Sequence, residues 1–227
     1  MTLKTNVALI IGAGPGLGAS LGKKFSKAGM TVVLVSRKEE LLKQIAAKID
    51  GAIAITTDAR CEAAVESLVE TVEAKIGTIS ILVYNPGSGF NNTSVLEQTS
   101  EQFRNVWEST AYGGFLASRA VAKFMKIRGQ GTIIFTGATA SVRGGAGFSA
   151  FSSGKFALRA LAQSLARELG PSGIHVAHII LDGGIGVTDE GNKMDPDEIA
   201  ETYHSIFMQR RSTWCHEIDL RPWVEKW

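Results

Sequence analysis

The sequence predicts an α/β fold, a doubly wound parallel sheet of the Rossmann type with helices on both faces, as a single domain over residues 1–227. Three observations predict it. Short apolar runs alternate with longer amphipathic runs, as strands and helices alternate in a parallel sheet covered on both faces. A glycine-rich turn follows the first apolar run. The 227 residues, 44% hydrophobic and 20% charged, suit one domain with a large core.

The apolar runs predict six strands, and the stretches between them predict helices. The runs occupy residues 7–11, 31–35, 52–56, 79–83, 131–135 and 175–181. Between them, apolar residues recur on one helical face, as at Leu158, Leu161 and Leu165. Repeated β-α units with right-handed crossovers build a doubly wound sheet. Towards the end, a helix is predicted over 197–209 and a last strand over 213–220, at a sheet edge or an oligomer contact.

Composition restricts the kind of partner. The net charge of +2 comes from mixed charges, so no electrostatic footprint for nucleic acid or an anionic membrane is expected. No apolar run reaches the length of about 18 residues that a membrane span needs, and no signal peptide is expected before the first predicted strand. Cys61 and Cys215 lie far apart without a CxxC spacing, so neither a disulfide framework nor a metal site is expected. We expect a cytoplasmic protein that binds a small molecule or another copy of itself.

The glycine-rich turn predicts a dinucleotide site. It lies between the first predicted strand and a run of helix formers, and its predicted contact residues are Gly12, Gly14, Pro15, Gly16, Leu17 and Gly18. Glycines let a pyrophosphate approach the backbone, while the helix N-terminus supplies N–H donors and the positive end of the helix dipole. The glycines fit G-x-x-x-G-x-G, and no Gly-Lys-Ser/Thr of a P-loop follows. The alternative is an ordinary tight turn.

The end of the second strand predicts which dinucleotide binds. Ser36 and Arg37 stand where an acidic residue would bind the 2′-hydroxyl of an NAD ribose. A serine hydroxyl and a bidentate guanidinium suit the 2′-phosphate of NADP. We therefore predict NADP(H) over NAD(H). The alternative is that Arg37 and Lys38 only begin a solvated helix.

Lys155 lies on an apolar helical face. Residues four apart share a face of a helix, so the lysine shares one with Phe151, Leu158 and Ala162. A lysine there is costly without a partner, and the ribose hydroxyls of a cofactor would supply one. The alternative is that the side chain snorkels, burying its stem and carrying its amine to water.

The ordered set of motifs resembles the short-chain dehydrogenase/reductase family over nearly the whole chain. After the glycine-rich turn come Asp58-Ala59, Asn85-Pro86-Gly87 and Lys155. In the family, the first pair contacts adenine, and the second motif is Asn-Ala-Gly. The resemblance implies cofactor contacts at Asp58, Ala59, Asn85, Pro86, Gly87, Lys155, Gly183 and Ile185, in the family's usual homodimer or homotetramer.

The resemblance also implies a degenerate catalytic site. Family members act with an Asn-Ser-Tyr-Lys tetrad in which the tyrosine is the acid/base and the serine polarises the carbonyl. Here Phe151 occupies the tyrosine position, Ala138 the serine position and Thr110 the asparagine position, and only Lys155 is retained. The chain is similar to a family subgroup with phenylalanine in place of the tyrosine. Phenylalanine has no titratable proton, so the usual acid/base step cannot operate at position 151.

No other side chain is assigned as the proton donor. Residues considered for this role are Ser141, Ser152, Ser153, Thr139, Tyr84, Tyr112, Asp182, His175, His178, Tyr203 and His204. Asp182 could titrate if burial raised its pKa. Tyr203 and His204 lie in a predicted small substrate-capping segment, residues 184–212.

Two functions follow. The first is an NADP(H)-dependent oxidoreductase acting on an unidentified carbonyl, alcohol or enone, with hydride transfer from the nicotinamide. The second is a catalytically silent NADP(H)-binding sensor or scaffold protein, which the loss of the serine and tyrosine favours.

Overall fold

The computed structural model describes residues 5–87, 92–188 and 190–225. The strands in these ranges are β1 (Asn6–Ile11), β2 (Thr31–Ser36), β3 (Ile53–Thr56), β4 (Thr78–Tyr84), β5 (Gly131–Thr136), β6 (Ile174–Leu181), β7 (Gly184–Ile185), β8 (Lys193–Met194) and β9 (Glu217–Leu220). Seven of them form one sheet in the order β3-β2-β1-β4-β5-β6-β9, and every pairing in it is parallel. The separate pair β7-β8 is also parallel. The predicted single-domain, doubly wound α/β fold is confirmed.

Helices fill the connections between the strands. They are α1 (Leu17–Lys27), α2 (Glu39–Ala46), α3 (Glu62–Thr71), α4 (Ser100–Trp107), α5 (Gly113–Arg128), α6 (Ser149–Leu169) and α7 (Pro196–Phe207). Wider π-helical turns extend α3 (Val72–Ile76) and join α4 to α5 (Glu108–Tyr112), and 3₁₀ turns lie at Thr139–Ser141, Gly170–Ser172 and Arg211–Thr213. No helix in the described ranges has the length and apolar character required to span a membrane.

The sheet separates two hydrophobic cores because successive strand residues point to opposite faces. On one face, Leu82 of β4 packs in a cluster with Leu116 of α5 and Leu158 of α6. On the other, the neighbouring Val83 joins Leu21 of α1 and Tyr203 of α7. Strands buried on both faces need apolar residues at every position, which explains the apolar runs of the sequence.

The last predicted elements are shorter in the structure. The final helix ends at Phe207, and only Glu217–Leu220 of the predicted strand 213–220 joins the sheet, as an edge strand beside β6. The preceding residues bond to Gln209 instead. Its side chain accepts from the Cys215 N–H at 2.7 Å, and its carbonyl oxygen accepts from the Trp214 indole at 3.3 Å.

The strand order reverses between β1 and β4. In doubly wound sheets, ligands bind in the crevice outside the carboxyl ends of the strands at this reversal. The glycine-rich turn follows β1 and Asn85-Pro86-Gly87 follows β4, so both motifs lie at the crevice.

Candidate active site

The glycine-rich turn forms an open backbone cradle. Gly12 has a φ of +93°, and a Cβ there would lie 2.3 Å from the Asn85 carbonyl oxygen. A Cβ on Gly18 would lie 2.7 Å from the Ala13 Cα, so this glycine lets α1 approach the turn closely. At Gly14 and Gly16 a Cβ would meet nothing within 4 Å. The turn is therefore tight at its two ends and open in the middle, as a pyrophosphate site requires.

The N-terminus of α1 faces this cradle without a competing group. No side chain caps the helix, and its first turn contains no acidic residue. The N–H groups of Gly12 and Ala13 both donate to the Val35 carbonyl oxygen, at 2.9 and 3.0 Å, and so fix the turn to the end of β2. Uncapped N–H groups and the helix dipole favour an anion here. The donor set fits the diphosphate of a dinucleotide.

A cavity of about 400 Å³ follows the cradle. It is lined by most of the predicted cofactor contacts: Gly12, Gly14, Gly16, Leu17, Gly18, Ser36, Arg37, Asp58, Ala59, Asn85, Pro86, Gly87 and Ile185. Pro15, also predicted as a cofactor contact, is exposed and does not line this cavity. The lining also includes Lys38, Arg60 and Ser109, which the sequence motifs did not indicate.

The far end of this cavity is cationic. Asp58 is the one acidic side chain in its described lining, and Arg60 binds it through Nη2 at 2.7 Å. The hydrogen bond from Arg60 lowers the pKa of Asp58. Arg60 also donates to the Asn105 side chain at 2.8 Å. Arg37 is exposed and makes no hydrogen bond or ion pair within the described residues.

A second cavity, of about 630 Å³, adjoins the first, and both are lined by Asn85, Pro86, Gly87 and Ile185. Its wall is mainly apolar. The remaining lining residues are Thr136, Gly137, Ala138, Thr139, Ala140, Arg143, Gly144, Gly145, Phe148, Phe151, Ser152, Lys155, Leu181, Gly183 and Gly184. The structure thus brings Lys155 and Gly183, also predicted as cofactor contacts, to the second cavity.

Lys155 lies in the wall of this second cavity. The residue is 3% exposed, and its Nζ donates to the Thr136 carbonyl oxygen at 2.7 Å. Burial lowers its pKa from the usual value to about 8, since an ammonium loses hydration in an apolar wall. The amine does not reach bulk water, so the snorkelling alternative is wrong. The sequence predicted ribose hydroxyls of a cofactor as the partner of this amine. Within the protein its partner is a backbone carbonyl.

Phe151 lies one helical turn before Lys155. It is 7% exposed, lines the second cavity, and its ring centre is 5.7 Å from the lysine Nζ. Ala138 lines the same cavity, and its N–H donates to the Ser141 hydroxyl at 3.1 Å. Neither Phe151 nor Ala138 brings an ionisable group or a hydroxyl to the cavity.

Thr110 lies in the π-helical turn between α4 and α5 and does not line the second cavity. It is fully buried, and its hydroxyl has no hydrogen-bond partner within the described residues. A Cβ on Gly154 would lie 3.0 Å from the Thr110 Cβ. The glycine therefore lets α6 approach this turn closely.

Several residues considered as proton donors have structural roles instead. The Tyr84 hydroxyl donates to the Ser109 carbonyl at 2.6 Å, and burial raises its pKa. The hydroxyls of Tyr203 and Thr136 share a hydrogen bond of 2.8 Å in the core, and burial raises the tyrosine pKa. His178 contacts Glu217 at 3.0 Å, and burial lowers its pKa to about 4.

Tyr203 and His204, considered as proton donors in the predicted capping segment, lie away from the second cavity. Their helix, α7, packs with α1 against the sheet, which places Tyr203 in the core and the His204 ring 6.0 Å from the ring of Phe25. Neither residue lines the second cavity. Gly184 and Ile185 do line it. The wider capping role of 184–212 stays a prediction, and Asp189 lies outside the described residues.

Asp182 does not contribute its carboxylate to the cavity wall. It accepts a short hydrogen bond from the Thr139 hydroxyl and lies 3.4 Å from Arg221 Nη2. Arg143 and Lys155 are therefore the two ionisable side chains in the cavity's described lining. Within the part of the chain that the structure describes, no cluster of three or more His, Cys, Asp or Glu side chains could hold a metal.

The chain is similar to proteins of a known family. The family model described as short chain dehydrogenase matches residues 6–198. The chain is 31% identical over 178 residues to short chain aldehyde dehydrogenase 1 of Euphorbia lathyris, an alignment that covers 77% of this chain and 62% of that protein. The chain thus spans less than two thirds of this relative's length.

Two solved structures extend the comparison over nearly the whole chain. A short-chain dehydrogenase from Rhodopseudomonas palustris is 40% identical, with a TM-score of 0.86 over 96% of this chain and 99% of that one. A metagenomic short-chain oxidoreductase solved in complex with NADP is 24% identical, with a TM-score of 0.87 over 99% and 100% of the two chains. The second likeness establishes the fold alone.

Proposed function

The chain belongs to the short-chain dehydrogenase family, and from that premise we propose that it is an NADP(H)-dependent oxidoreductase acting on a carbonyl, alcohol or enone group. One observation carries the proposal. The cavity that follows the glycine cradle adjoins an apolar cavity whose wall contains Lys155. A dinucleotide bound in the first cavity would direct its nicotinamide towards the second, where an apolar substrate would be shielded from water.

The residues at the far end of the first cavity support NADP(H) over NAD(H). Ser36 and Arg37 lie at the end of β2, and Lys38 lines the same cavity. The carboxylate of Asp58 is bound by Arg60, so it offers little to a ribose hydroxyl. The exposed guanidinium of Arg37 would donate two parallel hydrogen bonds to a 2′-phosphate.

Lys155 supplies the proton in the proposed reaction. A reduced nicotinamide, when bound, supplies a hydride to a carbonyl carbon. The oxygen then needs a proton, which neither Phe151 nor Ala138 can donate. Arg143 does not release a proton near neutral pH, whereas the Lys155 ammonium, with a pKa of about 8, can. The Thr136 carbonyl holds the amine at the cavity wall.

The site suits a slow enzyme. A positioned general acid contributes roughly 10²–10⁴-fold, and Phe151 and Ala138 leave the family's phenol and serine hydroxyl absent. We propose that the chain belongs to a subgroup with phenylalanine at this position and that Lys155 replaces part of the lost contribution. Assembly as a homodimer or homotetramer and a cytoplasmic location remain predictions.

The silent NADP(H)-binding function is not favoured by the site. A sensor needs the first cavity only, whereas this chain also has an adjoining apolar cavity of about 630 Å³. That volume lies within the range of roughly 300–1,000 Å³ that small-molecule sites occupy.

A titration and a substrate panel test the proposal. Purified protein is titrated with NADPH and NADH by calorimetry, and NADPH oxidation is then followed with aldehydes, ketones and enones. We expect tighter NADPH binding and slow turnover of at least one activated carbonyl. Tight NADPH binding without turnover of any member would favour the silent binder. Absence of dinucleotide binding would contradict both functions.

A further inference from the structure

The second cavity has an unbalanced positive charge in an apolar wall. Its two ionisable lining residues in the described chain, Arg143 and Lys155, are both cations, and no carboxylate lines it. Asp182 lies between two lining residues in the sequence, but its carboxylate contacts Thr139 and Arg221 and does not line the cavity. Charges of one sign in a cleft with low-dielectric walls concentrate ligands of the opposite sign. The cavity therefore favours an anionic ligand over a neutral one.

Arg143 is the cation available to bind such a ligand. The residue is exposed at the cavity, and its guanidinium makes no hydrogen bond or ion pair within the described residues. By contrast, Arg159 bonds to both carboxylate oxygens of Glu217, at 2.7 and 2.6 Å. A free guanidinium presents paired N–H donors that match a carboxylate.

The backbone beside Arg143 is also open. Gly144 and Gly145 follow it and line the same cavity. A Cβ on Gly144 would meet nothing within 4 Å, so a ligand group can approach the chain at this point. The ring of Phe148, which a Cβ on Gly145 would approach to 3.2 Å, begins the apolar part of the wall.

Apolar side chains form most of the remaining wall. Phe148, Phe151, Leu181 and Ile185 all line it. A ligand that fills this space gains from burying apolar surface, while its charged group must stay with the guanidinium. The wall thus matches a molecule with an apolar body and one anionic end.

From these observations we infer that the substrates are apolar keto acids or the corresponding hydroxy acids, with the carboxylate held by Arg143 and the reacting carbonyl directed towards Lys155. This inference rests on the proposed function and adds the substrate class to it. It assigns Arg143 a binding role and Lys155 the proton transfer.

Matched acids and amides test the inference. Protein saturated with NADP⁺ is titrated by calorimetry with aryl keto acids, 4-acetylbenzoate first, and with the primary carboxamide of each acid. The carboxamide keeps the shape and removes the charge. We expect the acids to bind about 10- to 100-fold more tightly, as a charge-assisted hydrogen-bond pair allows. Arg143→Gln should reduce this preference to about twofold or less.

Two further variants control the experiment. Arg167→Gln removes the same charge from the exposed far end of α6 and should keep the preference for acids. Arg143→Glu should weaken acid binding further, and an unchanged circular dichroism spectrum shows that the variant is folded.

Two results would overturn the inference: acids that bind no better than their amides in the wild type, or a preference that survives Arg143→Gln. Reduction of neutral carbonyls without any acid preference would contradict the inference and leave the proposed function standing. Failure to bind either dinucleotide in the preceding titration would contradict the proposed function itself.

Discussion

The amine of Lys155 donates a hydrogen bond of 2.7 Å to the carbonyl oxygen of Thr136. This bond joins helix α6 to the carboxyl end of strand β5, next to the cavity. One backbone carbonyl does not neutralise a buried ammonium, so the pKa of the lysine falls to about 8. The contact holds the amine in place, while burial brings its pKa near physiological pH.

Restoring the lost groups should accelerate the reaction. The double variant Phe151→Tyr with Ala138→Ser returns a phenol one turn before Lys155 and a hydroxyl to the cavity wall. We expect kcat for carbonyl reduction to rise about 100-fold or more, since a positioned acid contributes roughly 10²–10⁴-fold. Steady-state kinetics at saturating NADPH measure this. Phe148→Tyr is the control, because it adds a phenol to the same cavity at the N-cap of α6, seven residues before Lys155. An equal gain in both variants, or none in either, would contradict the assignment of position 151.

Arg37 should determine the preference for NADP(H). Arg37→Leu removes the proposed partner of the 2′-phosphate, so the Kd for NADPH should rise about 10- to 100-fold while that for NADH changes about twofold or less. Calorimetric titration of both cofactors measures the two effects. Arg167→Leu removes an exposed arginine elsewhere and should change neither Kd. An equal loss of affinity for NADPH and NADH in Arg37→Leu would show that Arg37 does not bind the 2′-phosphate.

Two glycines of the cradle should respond differently to alanine. Gly12→Ala places a Cβ 2.3 Å from the Asn85 oxygen at a φ of +93°, so the free energy of unfolding should fall by about 2 kcal/mol or more. Gly14→Ala meets no neighbour within 4 Å. It should change stability by less than about 0.5 kcal/mol and weaken NADPH binding, because the methyl group occupies the approach of the pyrophosphate. Denaturant unfolding and cofactor titration separate the two. Equal destabilisation by both would contradict the described turn.

Burial of Lys155 should make stability depend on pH. In the cofactor-free protein, the folded state has a lysine pKa of about 8, below the ordinary value of 10.5. The unfolded chain therefore binds more protons between these values, and the free energy of unfolding should rise with pH across this window. Lys155→Met removes the effect. The wild type should gain on the order of 3 kcal/mol relative to this variant between about pH 7 and 10.5.

Urea unfolding of both proteins at a series of pH values measures the difference between their free energies of unfolding. The other titrating groups contribute equally to both proteins, so their effects cancel in this difference. A constant difference across the window would mean that the amine is hydrated in the folded protein.

The central strands were predictable because each is buried on both faces and is therefore apolar at every position. The glycine-rich turn was predictable because tight approach at Gly12 and Gly18 requires glycine. Lys155 could be placed on a buried face from helical spacing alone. In each case, a few residues that are close together in the sequence determine the feature.

Other features depend on contacts between distant parts of the chain. The bond from Lys155 to Thr136 uses a backbone carbonyl, which no side-chain pattern marks. Tyr203 was considered as a proton donor, but packing of α7 against α1 and the sheet places it in the core. Arg143 follows a short 3₁₀ turn with no periodicity, so its place at the cavity becomes visible only when α6 and the strand ends are assembled.

The pH dependence of carbonyl reduction tests the central claim most directly. At saturating carbonyl and limiting NADPH, the wild type should show a constant kcat/KM for NADPH below about pH 8 and a decrease approaching tenfold per pH unit above it, because kcat/KM reports the free protein, in which the Lys155 ammonium loses the proton it must donate. Lys155→Met should be slower and lack this break, with unchanged folding by circular dichroism. A wild-type rate that stays constant through pH 8, or a Lys155→Met variant that keeps both the rate and the break, would contradict proton donation by Lys155.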